Sequence, residues 1–435
     1  MTPIVKSTSR PTWQRMPDNN VFYHSSPYHS NNYILSLAFN FDKEEDVYQF
    51  AFCYPYSYSK CQAHLDHLER RGMPFFKREL LGQSLQKRRV DLLTITHPKN
   101  MSPNGKVHCI VILGRVHPGE SPASYVCQGI IDFLVSSHPY AAILRENVIF
   151  KIIPMLNPDG VFMGNHRCSQ VGADLNRTWN KISKWLHPTI YAAYSFISSL
   201  DQDKDIELDI ILDIHAHSNL RGAFISGNTY NDVYRYERHI VFPKQLAQNV
   251  LGYEGSYTIF NRDNNKAGSA RRLLCDVLKS SVNCYTLLVS FHGYYKNKSS
   301  TFKYYTEETY FKVGRNVVKA FYDYYVNMAV IEPHSKNKVE KKKERRVICR
   351  LDRGVRCKSA PASRVAAVPI LELQLCPRSN QWTRKLRSQQ SIRKTHRDKK
   401  RHQQPKPSPS LSIIDFNWMT RGGFGESPVM EDSKL

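Results

Sequence analysis

With 435 residues and 41% hydrophobic content, the chain can build one large core or two to three ordinary ones. No run of about eighteen apolar residues offers a membrane span, the opening MTPIVKSTSRPTWQ carries no apolar leader, and ten cysteines without a CxxC pair argue against a disulfide scaffold or a thiolate zinc site. A formal charge of +24 points to acidic partners, although much of it follows Asn337, in runs such as 341–346 and 393–402 that are too polar to bury a core.

Up to about Tyr33 the sequence is rich in Ser, Asn, Pro and Tyr and shows little periodicity. The runs YILSLAFNFD and VYQFAFCYPYSY, separated by the acidic stretch from Asp42 to Asp46, then read as a pair of strands. An amphipathic helix is expected from Ser59 to Arg71, and a strand from Val90 to Thr96. Beyond it, strand-like segments alternate with helix-like ones. Strands are expected at Val107–Leu113, Val148–Pro154 and Leu208–His215, and helices at Ser121–Ser136, near Pro188–Ser199 and near Pro243–Leu251. A strand at Cys284–Phe291 and a helix at Glu307–Asn327 close the pattern, which predicts an α/β fold with a mainly parallel sheet covered on both faces. Three regions follow: a partial β-rich N-terminal domain at 1–88, an α/β domain at 89–332 and a basic, disordered tail at 333–435.

Ligands of open α/β sheets bind beyond the carboxyl ends of the strands. His117-Pro118-Gly119-Glu120 follows one strand, and Asp213-Ile214-His215-Ala216-His217 ends another. His, His and Glu form a ligand set that holds catalytic zinc and leaves one position open. Alternation along a strand places His215 and His217 on the same face, so spacing alone does not choose between them. Between these segments lie Asn157-Pro158-Asp159-Gly160, a turn by composition, then Arg167 and Asp174-Leu175-Asn176-Arg177. Arginines near zinc suit an anionic substrate: Arg177 with Asn176 a terminal carboxylate, Arg167 a developing oxyanion.

The blocks YQFAFCYPYSYS, GRVHPGES, FKIIPMLNPDGV, DLNRTW, DIHAHS, FNRDNNKAGSARR and CYTLLVSF, in this order, resemble the cytosolic carboxypeptidases among the zinc metallocarboxypeptidases. The resemblance runs from about Lys6 to about Tyr325. It implies a metallocarboxypeptidase-type mixed sheet preceded by a partial β-sandwich. It also implies one Zn2+ ion on His117, Glu120 and His215, with His217 lining the site unbound. Asn176 and Arg177 would hold the substrate carboxylate, Arg167 the oxyanion, and Lys266, Arg271 or Arg272 a glutamate side chain. Members trim C-terminal or branched glutamates from acidic protein tails such as tubulin in the cytoplasm. Microtubule association, and nuclear entry through the basic tail, are further expectations; a membrane partner is not.

Three departures qualify the resemblance. The family reads Gly-Thr-Gly where this chain has Gly268-Ser269-Ala270, and the first strands of its N-terminal sandwich are missing. Its general-base glutamate falls at Leu288, in Tyr285-Thr286-Leu287-Leu288. General-base catalysis contributes about 10²–10⁴ in rate, so efficient turnover is not expected. His292 lies four residues further on, about 13 Å along a strand, out of reach of the same water. The sequence supports a zinc carboxypeptidase impaired at Leu288, or alternatively a pseudoenzyme that binds glutamate-rich tails uncut. A nucleic-acid binder acting through the tail is disfavoured for lack of a folded recognition motif.

Overall fold

Successive residues at 109–113 point alternately into two apolar clusters: Cys109, Val111 and Leu113 into one, Ile110 and Ile112 into the other. A strand that is apolar on both faces needs cover on both, and this requirement shapes the fold. The computed structural model describes residues 2–101, 105–296 and 301–333. The expected basic tail lies outside the described residues.

At the N-terminus, β1 (Ile4–Ser7), β2 (Gln14–Arg15), β3 (Val21–Ser26), β4 (Asn32–Leu37) and β5 (Tyr48–Ala51) form a three-stranded sheet of order β2-β1-β5 and a separate β3–β4 hairpin. The two strands expected at 33–58 are present, but they do not pair with each other. β4 pairs with β3 in the register Val21↔Leu37, and β5 pairs with β1 in the register Ile4↔Ala51. Their partners lie in the opening stretch, where β3 is mostly exposed and carries no alternating apolar face to signal a strand.

Next come α1 (Tyr58–Arg70), β6 (Phe76–Gln83), β7 (Arg89–Ile95), β8 (Val107–Gly114), α2 (Ser121–Leu134), α3 (Pro139–Asn147), β9 (Val148–Ile153), α4 (Pro158–Met163) and α5 (Pro188–Gln202). The chain continues through β10 (Ile206–His217), β11 (Ala223–Gly227), α6 (Val233–Asn249), β12 (Ile259–Phe260), α7 (Ala270–Val277), β13 (Asn283–Ser290), β14 (Gly293–Tyr295), β15 (Phe302–Tyr304) and α8 (Glu307–Asn327). Eight strands form the central sheet in the order β12-β11-β13-β10-β8-β9-β7-β6. Its middle, β13-β10-β8-β9, is parallel; β11, β7 and β6 join antiparallel. The sheet is therefore mixed and mainly parallel at its centre, as expected. Phe76 pairs with Ile95 and Gln83 with Arg89, so the boundary expected at 88 falls within the β6–β7 hairpin and the central sheet begins at residue 76.

Side chains of α1, α2, α3, α6 and α8 fill the cluster on one face, and those of α5 and α7 fill the other. α2 and α8 cross at Gly129 and Gly314, where a Cβ would run into the Phe311 and Val126 backbones. The helix expected from Pro243 starts ten residues earlier, at Val233, where Asp232 accepts from the Tyr234 N–H at 3.0 Å. Pro243 stands inside it and cannot donate to the carbonyl of His239. The Tyr285 hydroxyl donates to that oxygen instead, at 2.7 Å, so the helix continues without an orphaned acceptor.

Candidate active site

Strands β8 and β10 are parallel neighbours, so their carboxyl ends open at the same edge of the sheet. The chain leaves β8 through Arg115, whose φ is +54°, and turns at His117–Glu120 into α2. Gly119 allows the turn because a Cβ there would meet the His166 carbonyl oxygen at 2.6 Å, the oxygen that accepts the Gly119 N–H at 2.7 Å. His117 and Glu120 thus face the end of β10, which carries His215.

The three side chains converge. His117 Nδ1 lies 2.7 Å from Glu120 Oε1, His215 Nδ1 lies 2.9 Å from Glu120 Oε2, and the two Nδ1 atoms are 3.1 Å apart. Tetrahedral zinc ligands at about 2.0–2.1 Å stand roughly 3.3 Å from one another, so this spacing fits the ion. Both imidazoles are held from behind: His117 Nε2 by Asp174 Oδ1 at 3.0 Å and His215 Nε2 by Asp213 Oδ2 at 2.7 Å. Carboxylates on the outer nitrogens put the protons there and leave the Nδ1 lone pairs aimed at the centre. Burial would raise the Glu120 carboxyl, but His215 and His117 hold it well below the usual carboxylate range. Two imidazoles ringed by three carboxylates suit a divalent cation. Among the described residues, this is the one group of three or more His, Cys, Asp or Glu side chains close enough to hold a metal.

Spacing left His215 and His217 open; the geometry separates them. His217 Nδ1 accepts the backbone N–H of Asn219 at 3.1 Å and of Leu220 at 3.0 Å, and its ring lines the cavity without joining the cluster.

That cavity holds about 300 Å³ beside the cluster. Arg167, Arg177, Lys266 and Arg271 line it, and Glu120 is the sole carboxylate among its described lining residues. Arg167 lends its Nε to Asp174 Oδ2 at 2.7 Å and keeps a side chain 39% exposed. Arg177 donates Nη1 to the Asn176 carbonyl at 2.9 Å and has no carboxylate partner among the described residues. Arg271 is buried and, among the described residues, pairs only with neutral oxygens, Asn228 Oδ1 at 2.8 Å among them; burial lowers its pKa to about 10. An unneutralised cation in a pocket wall favours an anionic occupant.

Of the two remaining expected substrate contacts, Asn176 lines the cavity and Arg272 does not. The Asn176 amide is already engaged, donating to Asp213 Oδ2 at 3.3 Å and accepting the Ala270 N–H at 2.9 Å. Arg272 is not on the cavity wall; its guanidinium lies 3.7 Å from Asp276, because residues adjacent in α7 point in different directions. The Asn157–Gly160 turn is the capped start of α4, where Asn157 Oδ1 accepts the Gly160 N–H at 3.0 Å. Asp174 and Asp213, which orient the imidazoles, went unassigned in the sequence. The signal was their adjacency to assigned residues, Asp213 two before His215 and Asp174 opening DLNR.

Leu288 pairs in register with His215 on the adjacent parallel strand β13 and lines the cavity. His292 does not line it; its Nε2 lies 2.6 Å from the Ser218 carbonyl oxygen.

A mixed sheet with a His–Glu–His cluster at the carboxyl ends of its parallel strands is the frame of the metallocarboxypeptidases. The fold resembles a metallo-carboxypeptidase from Burkholderia cenocepacia, with a TM-score of 0.62 at 21% identity over 75% of this chain and 81% of the other. A putative carboxypeptidase A from Shewanella denitrificans gives 0.62 at 22% over the same shares. The zinc carboxypeptidase family model matches residues 61–324, and the chain belongs to that family. Within it, the chain is 50% identical to human cytosolic carboxypeptidase 6 over 354 residues, 79% of this chain and 70% of the relative. It is 51% identical to the mouse protein over 76% and 62%, and 45% identical to the Caenorhabditis elegans protein over 68% and 65%. The alignments thus span about two thirds of the length of these relatives.

Proposed function

We propose that the chain holds one zinc ion on His117, Glu120 and His215 and receives the C-terminal or branched glutamates of acidic protein tails, tubulin among them. Hydrolysis is slowed by Leu288. Arg177 takes the terminal carboxylate, Arg271 and Lys266 take the glutamate side chain, and Arg167 keeps guanidinium N–H groups free for the carbonyl oxygen as it gains charge. Asn176, on the same cavity wall, helps to hold the terminal carboxylate. Zinc, when bound, supplies Lewis-acid chemistry. Leu288 leaves no carboxylate besides Glu120 among the described residues of the cavity wall to take the proton that the attacking water must lose.

The observation carrying this reading is the apolar side chain of Leu288 beside His215, in a cavity also lined by Arg167, Arg177, Lys266 and Arg271. The same observation favours a second reading, a receptor that binds glutamate-rich tails and leaves them intact. One paired measurement separates the two: binding and cleavage of a polyglutamylated tubulin-tail peptide by zinc-loaded wild type and by Leu288→Glu. Both readings predict binding by wild type. The variant should cleave about 10²–10⁴ times faster than wild type if slow hydrolysis persists, and should cleave where wild type does not if the chain is a receptor. Equal rates would remove the role given to position 288. His117→Ala serves as the metal control, with zinc content falling to background by elemental analysis.

A further inference from the structure

Beyond the cavity, the structure carries a second cationic feature that the site does not use. Ser218 lines the cavity, and its carbonyl accepts from His292 Nε2 at 2.6 Å. Four residues further along, the Gly222 N–H donates to the Gly293 carbonyl at 2.8 Å, so the loop after β10 is fastened to the β14–β15 hairpin at two points. Between these points stands Arg221, exposed, with its guanidinium carbon 5.2 Å from the centre of the Tyr295 ring and 5.1 Å from that of Phe302. Tyr295 and Phe302 are cross-strand partners and share one face of the hairpin with Tyr304, over which Arg15 stacks at 4.4 Å.

Stacking on aromatic rings fixes the guanidinium plane; Nη1 donates to the Tyr295 hydroxyl, and the Nε and Nη2 N–H groups, which have no hydrogen-bond partner among the described residues, form the edge that takes a carboxylate. Arg221 has no carboxylate within ion-pair distance among the described residues, nor do Lys296 and Lys303 on the same hairpin. The acid recorded on this face is Asp18, which accepts from the Tyr304 hydroxyl at 2.8 Å. Tyr295 and Tyr304 are each more than one-third exposed. The face is aromatic, Arg221 and Arg15 outnumber Asp18 on it, and it begins beside the wall of the cavity.

We propose that Arg221, stacked on Tyr295 and Phe302, docks the acidic residues that precede the C-terminus of a bound tail. This inference rests on the cavity being the seat of the terminal glutamate. Three peptide units from Ser218 to Arg221 span at most about 10 Å. An extended peptide rises about 3.3 Å per residue, so the face meets the third to fifth residue back from the end. Affinity therefore grows with tail length over that range and levels off beyond it. Because the contact is exposed, the gain weakens with added salt.

The test compares binding of labelled oligoglutamates of two and eight residues to the zinc-loaded full chain, as wild type, Arg221→Gln and Arg221→Glu. Wild type should bind the longer peptide more tightly. Arg221→Gln should weaken the longer peptide about fivefold, the size of an exposed charge pair. Arg221→Glu should weaken it further, with the two-residue peptide and the melting temperature unchanged in both variants. An unchanged eight-residue affinity in Arg221→Glu would overturn the proposal, as would equal losses for both lengths, which would place Arg221 in the cavity's own support. Wild type that binds both lengths alike would overturn it and leave the cavity reading standing. Wild type that binds neither would remove both. An oligouridylate that competes at this face as well as the longer peptide would replace the acidic tail with nucleic acid and overturn the assignment.

Discussion

Two aspartates that contact no substrate in the proposed reading decide how well the metal is held. Asp174 and Asp213 set the tautomer and angle of His117 and His215, and the loss of such partners costs about 10–100-fold in metal affinity. Asp174→Asn and Asp213→Asn should each weaken zinc by that factor in competition with a chelating dye, and wild-type affinity in both would remove the role. His239 offers a test unrelated to the metal. Its Nε2 accepts the Asn228 N–H at 3.0 Å, and burial, followed by the nearby Arg271 and Arg235, lowers its pKa to about 4. Because the unfolded chain takes up this proton near pH 6.5 and the folded one only near 4, stability falls as pH drops through that window and is flat above it. The loss reaches about 3 kcal/mol, and His239→Gln should flatten this part of the unfolding free-energy curve; an unchanged slope would assign it to other groups. At this scale, much of the centre was legible because His117, Glu120 and His215 belong to short, ordered motifs. Arg272 was less so, since residue type announces charge but not whether a neighbouring aspartate, here Asp276 at 3.7 Å, already faces it.

Elements were legible in proportion to their burial. Strands β8, β9, β10 and β13 are apolar runs covered on both faces, and α8 shows its apolar stripe over the 21 residues of Glu307–Asn327. The short pieces β11, β12 and α7 were not expected, because they are held by register and neighbours more than by pattern. β11 belongs to the sheet through its antiparallel pairing with β13, Phe224 opposite Leu288. The α6 boundary was missed because proline inside a helix reads as its start, and only the distant Tyr285 hydroxyl makes the longer helix affordable. The α2–α8 crossing depends on two glycines whose absent side chains let the backbones touch. Gly314→Ala should therefore cost about 1–3 kcal/mol of unfolding free energy in denaturant titration, despite alanine's better helix propensity. A neutral or stabilising result would show that the helices can move apart freely.

For the whole molecule, a sheet apolar on both faces and layered between helices follows from composition and periodicity alone, whereas the division into regions does not. β6 was grouped with the N-terminal residues, yet it pairs with β7 across the expected boundary, because antiparallel hairpins cross such a division without any change of composition. One consequence concerns how the molecule reports on itself. The facing nitrogens of His117 and His215 belong to residues 98 apart in sequence, at the ends of neighbouring central strands. An ion gripped there clasps β8 to β10 like a buckle. A ligand that binds only the folded chain adds about 2.7 kcal/mol of stability at a free concentration one hundred times its dissociation constant. Chelation should therefore lower the melting temperature and zinc should restore it, with no such response in His215→Ala. Heat would thus register the occupant of the centre without any need for turnover, and the same thermal signal could be used to search for its ligands.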